Sequence, residues 1–188
     1  MKLRALRLPF AAAALLLLSA CSMTAPKYTF SPDGVQTLRG AGAAPVKIGA
    51  VSAQGADAHN DSITLRGSGM HSPYGSYAQY LQEALTQDLR EARLLDAQSS
   101  IEISALLLKN DIDAKGLVTA SADIEARFTV KHAGQTAYEK NKAAHIEWGS
   151  NVIGAIAIPR AQEHYPALVA ALLKELYADA DFLKALHP

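Results

Sequence analysis

Cysteine is almost absent from this chain: Cys21 is the only one among 188 residues, so no disulfide can form within a single molecule. Long hydrophobic runs are also lacking. The apolar run from Leu8 to Leu18 has about eleven residues, whereas a helix needs about twenty to cross a bilayer. Noncovalent packing must therefore hold the fold, and this run is too short for a permanent transmembrane helix.

The sequence has no excess of either charge, since Lys plus Arg and Asp plus Glu each number 18. Removing residues 1–20 would take away Lys2, Arg4 and Arg7 and no acidic residue, which leaves 15 basic and 18 acidic residues and a formal charge of −3. A mildly acidic chain offers no electrostatic footprint for nucleic acid, and we predict no nucleic-acid partner. It would not seek anionic lipid headgroups by charge either.

Motifs for catalysis are missing too. Ser68, His71 and Ser72 share one segment, but no Gly-x-Ser-x-Gly motif surrounds any serine. Asp, His and Asp alternate over residues 57–61 and could hold a divalent cation, although a polar surface turn is the favoured interpretation. The sequence predicts no enzyme, no metal site and no cofactor, with a periplasmic hydrolase as the least favoured alternative.

The first twenty residues have the layout of a secretory signal peptide: a basic head, an apolar run and small residues at the end. Leu18, Ser19 and Ala20 precede Cys21 and resemble the bacterial lipobox. At that motif a diacylglyceryl group is attached to the cysteine sulfur, and the chain is cut just before the cysteine. Residues 1–20 are therefore predicted to be a lipoprotein signal peptide, and a secreted protein with a chance cysteine is the alternative.

Lipid attachment predicts where the protein resides. One acyl chain binds a membrane only marginally, but bacterial lipoproteins carry two or three, so the anchor would be effectively permanent. Ser22 follows the cysteine, instead of the aspartate that retains lipoproteins in the inner membrane of many enteric-type bacteria. We expect the periplasmic face of the outer membrane, with inner-membrane sorting as the alternative. The membrane is thus one predicted partner.

The mature chain divides into two predicted parts. Residues 21–45 contain several prolines and glycines and few periodic hydrophobic residues, which predicts a flexible, lipid-anchored tether. Residues 46–188 are predicted to form one periplasmic domain, because this length suits a single core.

The clearest helix is "GSYAQYLQEALTQDLREARLL", where Ser76 and Gln79 form a capping box. Its apolar stripe is Tyr77, Leu81, Leu85, Leu89 and Ala92. A second helix is predicted after residue 159, because Pro159 and Pro166 both suit a first turn. The apolar stripe of that helix is Leu168, Val169, Leu172, Leu173 and Leu176.

Strands are predicted by strict alternation. Over residues 118–131, apolar side chains from Val118 to Val130 share one face and polar ones the other. "HAGQ", residues 132–135, predicts a hairpin turn to a return strand. One dry and one wet face are typical of an antiparallel sheet covered on a single side. The predicted fold is α+β: an antiparallel sheet of about four strands with two helices packed on one face.

Element order and pattern resemble a known family. "SYAQYLQEALTQDL", "IEISALLLKNDID", a long alternating strand, a hairpin and a closing "ADFLKAL" are similar to the YajG-type family of bacterial lipoproteins, from about residue 46 to 186. The resemblance implies an outer-membrane lipoprotein without an established biochemical activity, and it supplies no catalytic residues. A broader likeness links the layout to auxiliary lipoproteins of ABC-type envelope transporters and to lipoprotein activators of cell-wall synthases.

Two apolar features are candidates for partner contact. The nominally wet face of the predicted strand 101–108 carries Leu106 and Leu108. The predicted loop 151–159 is apolar without clear periodicity; a buried connection is its favoured interpretation, whereas one exposed patch would mark a partner or lipid contact. The apolar residues of this loop are Val152, Ile153, Ile156 and Ile158.

These observations favour a non-enzymatic outer-membrane lipoprotein whose periplasmic domain contacts another envelope component. The alternative is a lipid-binding auxiliary lipoprotein of an envelope ABC-type transport system, with an apolar groove near residues 151–159.

Overall fold

The computed structural model describes residues 23–188. The predicted signal peptide over residues 1–20, its recognition residues Leu18, Ser19 and Ala20, and the predicted lipidation site Cys21 lie outside the described residues. Within residues 23–188, no helix combines the length and the hydropathy needed to cross a bilayer.

Seven strands and four helices make up the described chain, with a short 3₁₀ turn at Ala56–Ala58. In chain order they are β1 (Met23–Thr24), α1 (Pro32–Gly40), β2 (Lys47–Ala53), β3 (Ile63–Leu65), β4 (Ser68–His71), α2 (Tyr77–Glu91), β5 (Ile101–Asp113), β6 (Thr119–His132), β7 (Gln135–Gly149), α3 (Gly154–Tyr177) and α4 (Ala180–Lys184).

The strands form two sheets. The larger sheet has the order β2-β5-β6-β7, and the smaller has the order β1-β4-β3. In the larger sheet, β5, β6 and β7 are antiparallel neighbours, but β2 runs parallel to β5. The predicted α+β class is therefore confirmed, with a second sheet and a parallel edge strand that the sequence did not predict.

Alternation along β6 determines which face of the larger sheet is dry. The alanines at 120, 122 and 126 are buried together with Ile124, Phe128 and Val130. Small alanine side chains let a helix approach the sheet closely, and α3 lies across this face against β6 and β7. The predicted dry position Val118 is wrong: it precedes the strand and is exposed, because the chain is already in the connection from β5.

The two predicted helices cover this same face. α2 begins at Ser76, whose side chain accepts a hydrogen bond from the Gln79 amide at 3.2 Å, as the capping box predicts. Its predicted stripe is fully or nearly buried, and so is the predicted stripe of α3. α2 packs against β2 and β5 while α3 packs against β6 and β7, so the core lies between the helices and the larger sheet.

The prediction of a flexible tether over 21–45 is wrong for the part that the structure describes. Residues 32–40 form α1, with Ser31 as N-cap and Pro32 in the first turn. Val35 and Leu38 of α1 are buried in the same core as the rest of the domain. The physical reason is that Pro32 is at the first position of the helix and Gly40 at the last, where these residue types do not prevent a helix.

The predicted start of α3 is also wrong. The helix begins at Gly154, so Pro159 and Pro166 lie inside it rather than in a first turn. Ile153 is the N-cap and provides no side-chain hydrogen bond, so the usual polar start signal is missing. The second half of the predicted 151–159 loop is therefore the first turns of α3.

One carboxylate holds the N-terminal segment against two helices. Asp88 of α2 is fully buried and accepts hydrogen bonds from the Tyr28 hydroxyl at 3.1 Å, the Ser31 amide at 3.1 Å and the Tyr177 hydroxyl at 3.1 Å. Asp88 lies outside the apolar stripe of α2, and it is buried because α1 and its preceding segment cover that side of the helix.

The Asp88→Ala substitution would leave two buried hydroxyl donors and one partly buried amide without an acceptor. Each such donor costs about 1–3 kcal/mol, so we expect the free energy of unfolding in urea to fall by roughly 3 kcal/mol or more. Asp88→Asn is the matched control, since it keeps the shape and one acceptor oxygen and should lose less. Equal urea midpoints for Asp88→Ala and the unmodified protein would contradict this role.

The same site predicts a pH dependence. Burial raises the pKa of Asp88 above its ordinary value of 3.8, and the hydrogen bonds from Ser31, Tyr177 and Tyr28 offset this only in part. The folded protein thus binds this proton more tightly than the unfolded chain, so stability should decrease as pH rises from 3.8 through the raised pKa. Urea unfolding across pH would check this, and a parallel profile for Asp88→Asn would contradict it.

Candidate functional site

The described chain begins against the smaller sheet. β1 runs parallel to β4, with Met23 opposite Met70 and Thr24 opposite His71. The side-chain amide of Gln162 in α3 donates a hydrogen bond to the Thr24 carbonyl oxygen. Because parallel strands advance together, the N-terminal side of Met23 lies at the end of β4 that adjoins the β3–β4 turn.

Arg66 occupies that turn and connects it to two other connections. Its guanidinium donates hydrogen bonds to backbone carbonyl oxygens of Ala114 at 2.6 Å and Gly116 at 3.1 Å, in the β5–β6 connection. It also donates to carbonyl oxygens of Asn151 at 2.8 Å and Val152 at 3.2 Å, between β7 and α3. Three connections are thereby joined at one end of the molecule.

Exposed apolar side chains are concentrated at this end. Of the large hydrophobic residues that are exposed within residues 23–188, all but Phe30 lie in these connections or in the first turn of α3. We call this group the apolar end; it consists of Leu117 (64% exposed), Val118 (80%), Val152 (65%), Ile153 (55%) and Ile156 (39%). The β5–β6 connection and the β7–α3 connection, which carry these residues, adjoin each other, since the Ser150 amide donates to the Val118 carbonyl oxygen at 2.7 Å.

The backbone that carries the apolar end is well supported. Gly116 approaches so closely to Thr119 that a Cβ atom on it would lie 1.9 Å from the Thr119 carbonyl oxygen, which only glycine allows. The Asn151 side chain accepts a hydrogen bond from the Ile153 amide at 2.8 Å, just before α3 begins. These side chains are therefore presented to solvent by a defined backbone.

The predicted contact residues separate into three groups. Val152, Ile153 and Ile156 belong to the apolar end, whereas Ile158 is half-buried against the core. Leu106 and Leu108 are half-buried on the outer face of the larger sheet, the face away from the helices.

The structure does not bring these two leucines to the apolar end. Leu106 precedes the end of β5 at Asp113 by about seven residues, or roughly 23 Å of strand. The sequence analysis missed Leu117 and Arg66 as members of the site. Leu117 could have been found from the segment "KGLV", because it places a glycine and two apolar residues in a short connection between long strands.

Opposite charges pair on the outer face of the larger sheet. The His145 ring contacts Asp123 at 3.1 Å and Glu147 at 3.3 Å, and Lys109 lies 3.7 Å from Asp123. Hydrogen bonding to Asp123 is the largest cause of the raised pKa of His145, and hydrogen bonding to Glu147 is the second. These pairs are exposed to water and contribute little to stability individually, but they give this face a mixed, locally balanced charge.

The segments considered for catalysis or metal binding have ordinary local contacts. The His71 ring donates from Nδ1 to the Asp61 carbonyl oxygen at 3.0 Å, and the Ser72 hydroxyl accepts from the Tyr74 amide at 3.1 Å. His59 contacts the Asn110 carbonyl oxygen at 2.8 Å. Within residues 23–188, no three His, Cys, Asp or Glu side chains are grouped so that they could hold a metal ion.

A cleft of about 360 Å³ is lined in part by Arg66, and none of the five side chains of the apolar end is among its lining residues. Most of its lining is polar or charged, including His59, Asp111, Asp113 and Lys115. Such a lining suits water better than a hydrocarbon chain.

Comparison with known proteins identifies a shared fold. No family model matches the sequence, and no curated protein matches it. The structure of protein XCC0632 from Xanthomonas campestris, assigned to the family DUF330, aligns with a TM-score of 0.52 and 12% identity over 84% of this chain and 93% of that one. A predicted lipoprotein from Caulobacter crescentus CB15 aligns at 0.42 and 13% identity, over 83% and 98% of the two chains. At these identities the first likeness shows the fold alone.

Arg66→Ala should loosen the apolar end without unfolding the domain. The variant loses the hydrogen bonds to four carbonyl oxygens, so we expect faster amide exchange in residues 114–118 and 150–156 and a loss of about 2 kcal/mol of stability. Hydrogen exchange followed by mass spectrometry would measure the first effect.

Arg93→Ala is the matched control for this variant. Arg93, like Arg66, has a positive φ (62° against 50°), but its side chain makes no hydrogen bond within residues 23–188. Both variants therefore place alanine in a left-handed backbone, and only one removes the contacts. The bridging role of Arg66 would be refuted by equal exchange in the two variants.

Proposed function

We propose that this chain is a non-enzymatic lipoprotein of the bacterial outer membrane, anchored through Cys21, whose periplasmic domain contacts another envelope component. The observation that carries the proposal is the lipobox-like Leu18-Ser19-Ala20-Cys21 at the end of a signal-peptide layout. The resemblance to the YajG-type lipoproteins belongs to the same proposal.

The start of the fold makes the proposed attachment close. Met23 already belongs to β1, two residues after Cys21, and the following segment is packed into the core. Two residues span at most about 7 Å, so the domain would lie directly at the membrane rather than at the end of a tether. Its orientation there would then be determined by the direction of β1.

The outer face of the larger sheet is the proposed contact with an envelope protein. The long strands β5, β6 and β7 present this face, and no helix of residues 23–188 covers it. Leu106 and Leu108 are half-exposed on it, among charged neighbours such as Lys109 and Arg127. An apolar centre within a polar rim is the usual composition of a protein–protein interface.

The proposal of a surface contact is preferred over that of a lipid-binding auxiliary lipoprotein. The latter needs an apolar groove near residues 151–159, but Val152 and Ile153 are directed to solvent, and the cleft beside Arg66 has a mostly polar lining. Catalysis is not part of the proposal, because the His71 ring contacts a backbone oxygen rather than Ser68 or Ser72.

Cys21→Ser tests the anchor. The acyl acceptor is the cysteine sulfur, so we expect this variant to remain unprocessed and to incorporate no radiolabelled fatty acid in growing bacteria. Ser22→Ala, which keeps the cysteine, is the control and should be labelled normally. Labelling of Cys21→Ser equal to that of the control would defeat the proposal.

Ser22→Asp tests the destination. In a host with enteric-type sorting, aspartate after the lipidated cysteine should retain the protein in the inner membrane, whereas the unmodified chain should fractionate with the outer membrane. Density-gradient separation of the two membranes would measure this. Cofractionation of the unmodified, acylated chain with the inner membrane would show that the destination is wrong although the anchor is right.

A further inference from the structure

We propose that the apolar end inserts into the phospholipid bilayer that holds the lipid anchor, so that the domain lies on the membrane in one fixed orientation. This inference rests on the proposed acylation of Cys21. It adds a second, noncovalent membrane contact, made by the side chains of Leu117, Val118, Val152, Ile153 and Ile156.

The first argument is the position of the anchor. Met23 pairs with Met70 in a parallel arrangement, so the direction of β1, followed back from Thr24 to Met23, points toward Ser68 and the β3–β4 turn. Cys21 is two residues from Met23, which limits its distance from it to about 7 Å. The acyl chains would therefore enter the membrane beside the turn that contains Arg66.

The second argument is that this turn adjoins the apolar end. The Arg66 guanidinium lies 3.2 Å from the Val152 carbonyl oxygen and 3.1 Å from that of Gly116, which precedes Leu117 in the chain. Gln162 of α3 also contacts Thr24, so the first turns of this helix lie beside the point of entry. A bilayer reached by the acyl chains is consequently within reach of the exposed apolar side chains.

The third argument is the charge around this end. Residues 148–159 contain no Asp, Glu, Lys or Arg, so insertion of Val152, Ile153 and Ile156 would carry no charged side chain into hydrocarbon. Lys115 and Arg160 lie close to the apolar residues in the sequence, whereas the Arg66 guanidinium is held by backbone carbonyl oxygens. Long basic side chains such as those of Lys115 and Arg160 can extend to phosphate headgroups, and Asp111 and Asp113 are the acids that line the cleft beside Arg66.

A bilayer explains the distribution of exposed hydrophobic residues better than a protein partner does. Phe30 is the remaining large hydrophobic residue that is exposed in the described chain, and it lies at the opposite end of the molecule. Ser31, next to it, shares Asp88 with Tyr177, the last residue of α3. α3 has 24 residues and is about 36 Å long, so Phe30 would remain far from a membrane that the apolar end contacts.

The experiment uses the full chain and its single native cysteine. Once Cys21 is acylated, an introduced cysteine is the only free thiol. Ile153→Cys and Val118→Cys place a thiol at the apolar end, and Phe30→Cys is the matched control at an exposed apolar position elsewhere. Each acylated variant is labelled with the fluorophore NBD and added to preformed phosphatidylethanolamine–phosphatidylglycerol vesicles, with or without brominated acyl chains.

We expect the label at residues 153 and 118 to shift to the blue on membrane binding and to lose most of its emission with brominated lipid. The label at residue 30 should keep its aqueous spectrum and remain unquenched. If acylated Ile153→Cys and Val118→Cys behave like Phe30→Cys, the insertion is wrong although the anchor stands. Protection of the unlabelled Ile153→Cys thiol from a water-soluble maleimide in the same vesicles, without quenching of the NBD-labelled variant, would indicate a second copy of this chain as the cover and would also overturn it.

The mass of the N-terminal peptide separates this inference from the proposed function. An unmodified Cys21 in the mature protein would refute the anchor, and the insertion would fail with it. Acylation of Cys21 together with quenching at residues 153 and 118 supports the anchor and the insertion. Acylation without quenching refutes the insertion only.

Discussion

The attachment of the N-terminal segment to the body determines how the rest of the molecule can be placed. Asp88 accepts three hydrogen bonds from that segment and from α3, in the core and away from water. At the other end of the segment, β1 pairs with β4. Because both ends of this segment are held, the first described residue has a fixed position and a fixed direction. A chain that leaves a folded domain in one fixed direction restricts how that domain can be oriented relative to the object to which the chain is attached.

The two surfaces of the domain differ in chemistry for a structural reason. The larger sheet is covered by helices on one face only, so its outer face keeps charged side chains in cross-strand pairs such as His145 with Asp123. The apolar end arises where long strands stop and three connections meet around Arg66. The outer face of the larger sheet is suited to a polar partner surface that has a small apolar centre. The apolar end is suited to a medium without hydrogen-bonding groups.

Elements with strong periodicity could be predicted from the sequence, and elements defined by distant contacts could not. The stripe of α2, the alternation of β6 and the turn at Gly134 all follow from local spacing. α1 was missed because its proline and glycine were interpreted as linker residues, although Ser31-Pro32 is a common helix start. The role of Arg66 depends on residues about 50 and 85 positions away, so no local pattern reveals it.

β7 has a consequence for the chain while it is still folding. This strand has 15 residues and lies at the edge of the larger sheet, so one row of its backbone amide and carbonyl groups has no neighbouring strand within residues 23–188. Such a row can template aggregation between copies of a chain whose folding is incomplete. Lys140 and Lys142 lie in the strand, and both are paired with Asp179 once the fold is complete. Before the fold is complete these two ammonium groups would lack that partner, and their mutual repulsion would keep copies of the strand from stacking.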